Sequence, residues 1–334
     1  MTFKFKNVYL NEVATVTGPF EKEGPLGKYF DKSYDDMYFG ENTFEKAETK
    51  ILQESIDLVL SKSKKNTTDL FISGDLLNQD VSSNLAALNL GVPYLGIYNA
   101  CATSMEGLII ASSLIDSKKI NNAICSVSSH NCTAERQFRY PVEYGGSKPK
   151  VTTFTATGGA SAYISNEESK IKIESGTIGK VIDLGITDVF NMGAVMAPAA
   201  ADTIKEHLID TKRKIDYYDL IVTGDLGIYG KQILMDYMKE EFNIELNKYN
   251  DCGVMLYDLE KQNVYAGGSG PVCCPLVSYS VIINRMLKGE LNRVLLLSTG
   301  ALHSPTLVNQ KMSIPAICHA ISLEVVKWYI LIHF

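Results

Sequence analysis

Cys101 is the residue whose type and position point most directly to chemistry. It stands in the run GIYNACATSMEG, between an apolar extended segment that starts at Gly96 and the first turn of a predicted helix. A thiol at a helix N-terminus lies near free N–H groups and the positive end of the helix dipole, which lowers its pKa. The carboxyl end of a strand is also where open α/β sheets bind ligands. A small buried packing residue in a strand-to-helix turn is an equally good interpretation of this spacing.

Two of the five histidines, His130 in SSHN and His303 in ALHSP, are predicted to lie at strand ends. Imidazoles at such positions are the candidate acid–base groups for a reactive thiol, although each stands in a different loop. Polar groups that could contact a ligand surround the first of them, at Ser128, Ser129 and Asn131.

The segment AERQFRYPVEYGGSKPK carries four cations, Arg136, Arg139, Lys148 and Lys150. Guanidinium groups pair with carboxylates through two parallel hydrogen bonds, so the arginines favour an anionic ligand. Three aromatic residues of this segment are candidates to line a flat ligand: Phe138, Tyr140 and Tyr144. The alternative is an interface arm in which the arginines pair with Glu135 and Glu143.

The elements that must position these groups alternate between helix and strand. Apolar residues recur at helical spacing from Phe44 to Ser63, and short apolar strand-like runs follow, typical of a parallel-rich α/β sheet. DLFISGDL at 69–76 recurs as DLIVTGDL at 219–226 with similar flanking helices, which indicates an internal duplication. We therefore predict two α/β halves, residues 1–170 and 171–334, with the boundary in the polar segment at 165–170.

Composition indicates an ordinary folded protein. The chain has 334 residues, 46% of them hydrophobic, and a net charge of −6, which argues against a nucleic-acid partner. The seven cysteines include no CxxC pair, so we expect free thiols, and the adjacent Cys273 and Cys274 are predicted to pack rather than bind a metal. We expect no secretory signal and no transmembrane segment. The apolar C-terminal tail, Val325 to Phe334, is interpreted as a last strand or a poorly ordered terminus.

A duplicated α/β chain with ACATS opening a central helix resembles the thiolase and β-ketoacyl-synthase superfamily. The resemblance implies five layers, α-β-α-β-α, and a nucleophile position at Cys101. Members of that superfamily take their catalytic bases from loops of the second half. This sequence has Gly224 and Asp225 at one such position and Ser269 and Gly270 at the other, so both expected histidines are missing. Asp225 is then a candidate pocket residue, whereas its duplicate Asp75 is predicted to stabilise a turn.

Longer phrases resemble one family more closely, the stage V sporulation AD proteins of spore-forming bacteria. They include SSHNCTAERQFRYPVEYGGSKPK, TATGGASAYIS, NMGAVMAPAA and SIPAICHAISLE, and they span residues 70–324. The resemblance implies a non-catalytic protein that binds dipicolinic acid, pyridine-2,6-dicarboxylate, for its movement with calcium into the developing spore. It also implies partners among the other SpoVA proteins and a peripheral location at the inner spore membrane.

We therefore expect a ligand pocket, no cofactor, no metal ligands of the protein itself, and a homodimer. The predicted ligand-binding residues are Cys101, Thr103, Ser128, Ser129, His130, Asn131, Arg136, Arg139, Asp225, Ser269 and His303. The ligand is either free dipicolinic acid or its calcium chelate. The alternatives are an active acyl-transferring or condensing enzyme that uses Cys101, and a scaffold that only docks membrane subunits.

Overall fold

A computed structural model describes residues 1–139 and 144–326 of the chain. Tyr140, Glu143 and tail residues 327–334 lie outside the described residues. The strands are β1 (Thr2–Lys4), β2 (Tyr9–Thr17), β3 (Lys32–Ser33), β4 (Phe71–Gly74), β5 (Tyr94–Gly96), β6 (Asn122–Ser129), β7 (Phe154–Thr155), β8 (Gly158–Ser165), β9 (Ile171–Ile178), β10 (Leu220–Thr223), β11 (Tyr249–Asp251), β12 (Gly268–Ser269), β13 (Arg293–Ala301) and β14 (Ala316–Val325).

The helices are α1 (Pro19–Glu23), α2 (Phe44–Ser63), α3 (Val81–Leu90), α4 (Thr103–Asp116), α5 (Asn131–Phe138), α6 (Met192–Thr211), α7 (Gly227–Phe242), α8 (Cys252–Leu256), α9 (Cys273–Val277), α10 (Ile283–Leu287) and α11 (Pro305–Asn309). A π-helical segment, Ser278–Ile282, joins α9 to α10. Helix α2 has the bounds that its apolar spacing predicts, and its first turn is capped by the Thr43 side chain, which accepts a hydrogen bond from the N–H of Lys46.

Within the described residues, twelve strands form one sheet whose main path is β5-β4-β6-β8-β2-β9-β14-β13-β10-β11. The order of strands on one side of the β2–β9 contact is repeated on the other, so that β4 corresponds to β10 and β6 to β13. The two octapeptide repeats supply β4 and β10, and each of these lies between two parallel neighbours. The prediction that the repeats form equivalent inner strands is therefore confirmed.

The first residue of each octapeptide also makes the same contacts. A side-chain oxygen of Asp69 accepts a hydrogen bond from the N–H of Asn121 at 2.7 Å, and the equivalent oxygen of Asp219 accepts one from the N–H of Asn292 at 2.7 Å. Each aspartate thereby fixes the turn before the neighbouring strand, β6 or β13. Strand β9 begins at Ile171, directly after the predicted boundary, and the division into two separate domains stays a prediction.

The helices lie in three layers around the two halves of the sheet. Helix α4 buries Met105, Leu108 and Ile109 in a core that also contains residues of β6, β9 and β13. Helix α2 covers the outer face of the first half, and α6 covers the outer face of the second. This is the predicted five-layered order, and it places the loop before α4 at the junction of the two halves.

Candidate functional site

A cavity of about 290 Å³ opens where the loop before α4 meets α5, α6 and the loop after β13. Most of its wall is apolar, with Leu76, Ala134, Phe138, Met192, Met196 and Leu302. The polar groups that line it include Tyr98, Cys101, Arg139, Thr155, Ser269 and His303. A mostly apolar cavity with a few convergent polar groups is the usual form of a small-molecule site. Four of the predicted site residues, Cys101, Arg139, Ser269 and His303, come together here.

Cys101 lies at the end of the tight loop that joins β5 to α4. The sequence predicts that the helix begins at Cys101, but α4 begins at Thr103, and the preceding Ala100 has a positive φ of 49°. Thr103 does not line the cavity. Its buried hydroxyl instead accepts a hydrogen bond from the N–H of Asn99 (3.1 Å) and donates one to the carbonyl of Ala100 (2.7 Å), so it shapes the loop.

The predicted lowering of the Cys101 pKa is wrong. Burial, and then the neighbouring carboxylate of Asp225, hold the pKa of the Cys101 thiol well above its ordinary value. The helix N-terminus lowers the pKa of a thiol, but here two larger effects raise it. Burial removes the thiolate from water, and Asp225 places a negative charge beside it, so both favour the neutral thiol. Cys101 is therefore a protonated thiol at neutral pH.

Asp225 lies just behind the thiol, in the loop after β10. It is fully buried, and its carboxylate accepts hydrogen bonds from the hydroxyl of Thr299 (2.6 Å), the hydroxyl of Ser269 (3.1 Å) and the N–H of Gly270 (3.2 Å). Its negative charge also acts on the Cys101 thiol, and burial raises the pKa of Asp225 to about 6. Asp225 thus joins β13 to the end of β12 in the second half, beside the first-half loop that carries the cysteine.

Asp75, the duplicate of Asp225, has a different role. Its carboxylate accepts hydrogen bonds from the N–H groups of Leu77 (2.9 Å) and Ser83 (2.8 Å), which hold the turn after β4 and the first turn of α3. This is the turn role that the sequence predicts for Asp75. The two halves therefore use equivalent aspartates for different purposes, and only Asp225 contacts the thiol.

Arg139 and His303 form the polar side of the cavity opposite its apolar wall. The guanidinium of Arg139 pairs with Glu135 at 2.6 Å, and the ammonium of Lys148 lies 3.1 Å from the same carboxylate. The ring of His303 lies against that of Phe138, with centroids 5.5 Å apart. Burial and the charge of Arg139 lower the pKa of His303 to about 4, so its imidazole is neutral. Its Nε2 atom is buried and has no hydrogen-bond partner among the described residues.

The predicted polar cluster at the end of β6 does not line the cavity. The hydroxyl of Ser128 donates to buried Glu48 (3.0 Å), and that of Ser129 donates to the carbonyl of Ala156 (2.7 Å). These hydroxyls point into the protein because they satisfy buried acceptors there. Ligands bind at the carboxyl ends of strands in α/β sheets, and this generalisation identified the correct edge of the sheet. It does not predict the direction in which these side chains point.

His130 and Asn131 are also directed away from the cavity. His130 is fully buried and caps α5, since its Nδ1 accepts a hydrogen bond from the N–H of Cys132 at 3.1 Å, while Nε2 contacts the carbonyl of Met37. The amide of Asn131 donates to the carbonyl of Thr155. These contacts do not fit His130 as a candidate acid–base group for Cys101, and a capping role explains its place one residue before a helix.

Arg136 does not reach the cavity either. Its guanidinium pairs with Glu45 at 2.8 Å and lies over the ring of Phe44, 5.6 Å from its centroid. Arg136 lies in the last turn of α5, whereas Arg139 is the residue after the helix and has non-helical backbone angles (φ −130°, ψ −73°). The two side chains therefore leave in different directions, one toward α2 and the other toward the cavity. The pairing with Glu135 that the alternative predicts is found for Arg139, whereas Arg136 pairs with Glu45, and Glu143 lies outside the described residues.

Several residues that line the cavity were not singled out from the sequence. Met192 and Met196 lie one turn apart at the start of α6, and Tyr98 lies in the loop before Cys101. Their apolar spacing is the same as that of any buried helix face, so the sequence carries no signal that distinguishes them.

In the described part of the chain, no group of three or more His, Cys, Asp or Glu side chains is arranged to hold a metal ion. No helix within 1–139 or 144–326 has the length and apolar character needed to span a bilayer.

Comparison with solved structures identifies the fold. A variant of OleA from Xanthomonas campestris superposes with a TM-score of 0.61 at 13% identity, covering 96% of this chain and 99% of that one. The 3-oxoacyl-[acyl-carrier-protein] synthase III of Aquifex aeolicus superposes with a TM-score of 0.57 at 14% identity, covering 95% and 99%. The predicted thiolase-like α/β fold class is therefore confirmed.

Sequence comparison identifies the family. The stage V sporulation protein AD of Bacillus subtilis (strain 168) is 47% identical over 319 residues, which cover 95% of this chain and 94% of that protein. The sequence profile of the stage V sporulation protein AD family matches residues 1–324, so the match ends where the C-terminal tail begins. The chain therefore belongs to the stage V sporulation protein AD family.

Proposed function

We propose that this sporulation protein binds dipicolinic acid in the Cys101 cavity without catalysing a reaction, as a component of the SpoVA assembly that moves dipicolinate into the developing spore. The observation that carries the proposal is the contact between Cys101 and Asp225. An enzyme of this fold needs a base at this position that takes the proton from the cysteine and stabilises the resulting thiolate. This chain has a carboxylate there instead.

A nucleophilic cysteine reacts as its thiolate, so an enzyme must make that form accessible. Here the charged group nearest in effect to the thiol, Asp225, is an anion, and it opposes ionisation of Cys101. The neutral imidazole of His319 is fixed between Asn99 and Gly179. These contacts support binding rather than turnover.

The cavity suits a flat aromatic dicarboxylate. Phe138, Met192 and Met196 supply apolar surface for the ring, while Arg139 and the unpartnered Nε2 of His303 supply donors for a carboxylate. Lys148 shares Glu135 with Arg139, so this group of three side chains carries one net positive charge beside the cavity. Free dipicolinate, a dianion, gains more from that charge than its neutral calcium chelate does.

Calorimetric titration with dipicolinate, with and without calcium, tests the proposal. Isophthalate, which has the same two carboxylates but no ring nitrogen and chelates calcium poorly, is the matched ligand control. We expect saturable binding of free dipicolinate at one site per chain. If neither free dipicolinate nor its calcium chelate gives a binding signal in calorimetry, the result would contradict the proposal and favour the scaffold alternative.

Incubation with an acyl-coenzyme A, followed by mass spectrometry of the intact chain, distinguishes the enzyme alternative. We expect no acyl adduct on Cys101 and no release of free coenzyme A above the rate without protein. Repeated acylation and release at Cys101 would establish an acyl-transferring or condensing enzyme instead.

We also propose a homodimer that pairs the β5 edge of one copy with that of a second. β5 is the outermost strand of the first half, and large apolar side chains beside it are exposed: Leu88 is 76% exposed, Tyr98 49%, Leu85 44% and Leu95 43%. An unpaired edge beside exposed leucines is a surface that a partner strand would cover. Sedimentation of Leu88→Asp against the unmodified chain tests this, and an unchanged dimer in the variant, or a monomeric unmodified chain, would contradict it.

We further propose that the protein lies peripherally at the inner spore membrane, where other SpoVA proteins hold it.

A further inference from the structure

His319 connects the second half of the protein to the loop that carries Cys101. It lies in β14 and is almost fully buried. Its Nδ1 accepts a hydrogen bond from the backbone N–H of Gly179 at 3.2 Å, and its Nε2 lies 2.8 Å from the side-chain amide of Asn99. The imidazole thus bridges the start of the second half and the segment two residues before the cysteine.

The protonation of this ring follows from its neighbours. Burial lowers the pKa of His319 to about 4, so the imidazole is neutral and has one donor and one acceptor nitrogen. A backbone N–H can only donate, so Gly179 occupies the acceptor, Nδ1. The proton is then on Nε2, and the Asn99 amide must turn its oxygen toward the ring, the reverse of the orientation in which its Nδ2 lies 2.8 Å from Nε2.

The loop that His319 contacts has a conformation that needs support. Ala100, between Asn99 and Cys101, has a positive φ that a residue with a side chain rarely adopts. The second half also holds the other end of this loop, because the hydroxyl of Ser298 donates to the carbonyl of Ala102 (2.7 Å) and accepts from the N–H of Met105 (3.3 Å). Cys101 therefore lies between two contacts made by the opposite half.

We propose that His319 is a positioning residue for the cavity: its hydrogen bond to Asn99 fixes the loop so that the Cys101 thiol stays against Asp225. Without that bond the loop relaxes, and the thiol becomes more accessible to reagents and the cavity less well shaped for its ligand. The effect on the thiol is independent of the ligand, whereas the effect on affinity rests on the proposed function.

The test compares four variants of the full chain. His319→Phe removes both hydrogen bonds but keeps an aromatic ring, His319→Gln keeps a donor near the position of Nε2, and Asn99→Ala removes the same bond from the loop side. His207→Gln is the control, since His207 is a buried histidine of the same half that contacts Thr177 (2.7 Å) and Tyr218 and not this loop. For each, the rate of Cys101 alkylation by iodoacetamide is measured by mass spectrometry, with urea unfolding alongside.

We expect His319→Phe and Asn99→Ala to accelerate alkylation by about three- to tenfold, the change that corresponds to one lost hydrogen bond. In His319→Gln the alkylation rate should stay close to that of the unmodified chain. His207→Gln should lower the stability of the fold but leave the alkylation rate of Cys101 unchanged. Dipicolinate affinity should fall in His319→Phe and Asn99→Ala by a similar factor.

An unchanged alkylation rate in His319→Phe and Asn99→Ala would overturn the proposal, as would rates that follow stability in every variant, including His207→Gln. If His319→Phe does not fold, Asn99→Ala and His319→Gln decide the question. If alkylation responds as expected but dipicolinate does not bind the unmodified chain, the positioning role stands and the proposed function fails.

Discussion

The carboxylate of Asp225, from one half of the duplicated fold, acts on the thiol of Cys101, from the other half, and opposes its ionisation. Burial and this carboxylate together hold the pKa of Cys101 above its ordinary value, and the same carboxylate accepts hydrogen bonds from Ser269, Gly270 and Thr299.

Replacing Asp225 with asparagine should make Cys101 more reactive. The substitution removes the negative charge that opposes thiolate formation, so the pKa of Cys101 falls and alkylation at pH 7 accelerates on the order of tenfold. The pH profile of iodoacetamide alkylation, read at Cys101 by mass spectrometry, measures this. Asp75→Asn is the control because that aspartate holds a turn away from the thiol. A profile that does not move toward lower pH in Asp225→Asn would contradict this electrostatic account.

Removing Arg139 should weaken dipicolinate binding, and removing Arg136 should not. A charge-assisted hydrogen bond in a partly desolvated site contributes ~1.5–3 kcal/mol, so Arg139→Ala should reduce affinity about tenfold to a hundredfold. Arg136→Ala is the matched control, since Arg136 lies three residues before Arg139, in α5, and pairs with Glu45 outside the cavity. Calorimetry of both variants checks the prediction, and equal losses in both would show that the segment acts only through the fold.

Glu48 should make folding stability decrease as the pH rises. It is fully buried, accepts hydrogen bonds from Ser128 and Thr133, and has its pKa raised to about 8 by burial and by Asp75. An acid whose pKa is higher in the folded state stabilises the fold fully below its unfolded value, near 4.5, and this contribution is lost as the pH rises toward 8. Glu48→Gln should therefore gain ~1–3 kcal/mol relative to the unmodified chain between pH 5 and pH 8. Urea unfolding at both pH values tests this, and parallel changes in the two proteins would refute it.

Gly230 should not tolerate a side chain. A Cβ there would lie 2.6 Å from Cα of Gly193, where α7 approaches the first turn of α6. The atoms that this Cβ would meet all belong to the backbone of Gly193 and cannot rotate away. Gly230→Ala must therefore separate the two helices, at a cost of about 1–3 kcal/mol. Gly107→Ala is the comparison, since a Cβ at Gly107 would lie 3.4 Å from the end of a flexible side chain, Ile97. Urea unfolding of the two variants measures the difference, and equal stabilities would contradict the close packing.

The sequence predicts more of the fold than of the site, for physical reasons. Helix α2 and the equivalent strands β4 and β10 follow from apolar spacing and an internal repeat, both of which can be read from short stretches of sequence. The ionisation of Cys101 does not follow, because the helix-dipole argument uses the local turn and the decisive neighbour, Asp225, is brought in by tertiary structure. Ser128 and His130 failed as pocket residues because their polar atoms were needed to satisfy buried groups.

The central claim is that dipicolinate occupies the cavity beside Cys101, and protection of that thiol tests it most directly. The rate of Cys101 alkylation by iodoacetamide is measured with saturating dipicolinate and with isophthalate at the same concentration. The account predicts that dipicolinate slows alkylation at least about tenfold, since a bound ligand covers the thiol, with no adduct of the ligand itself. An unchanged alkylation rate, under conditions where calorimetry records saturated dipicolinate binding, would place the ligand elsewhere and contradict the account.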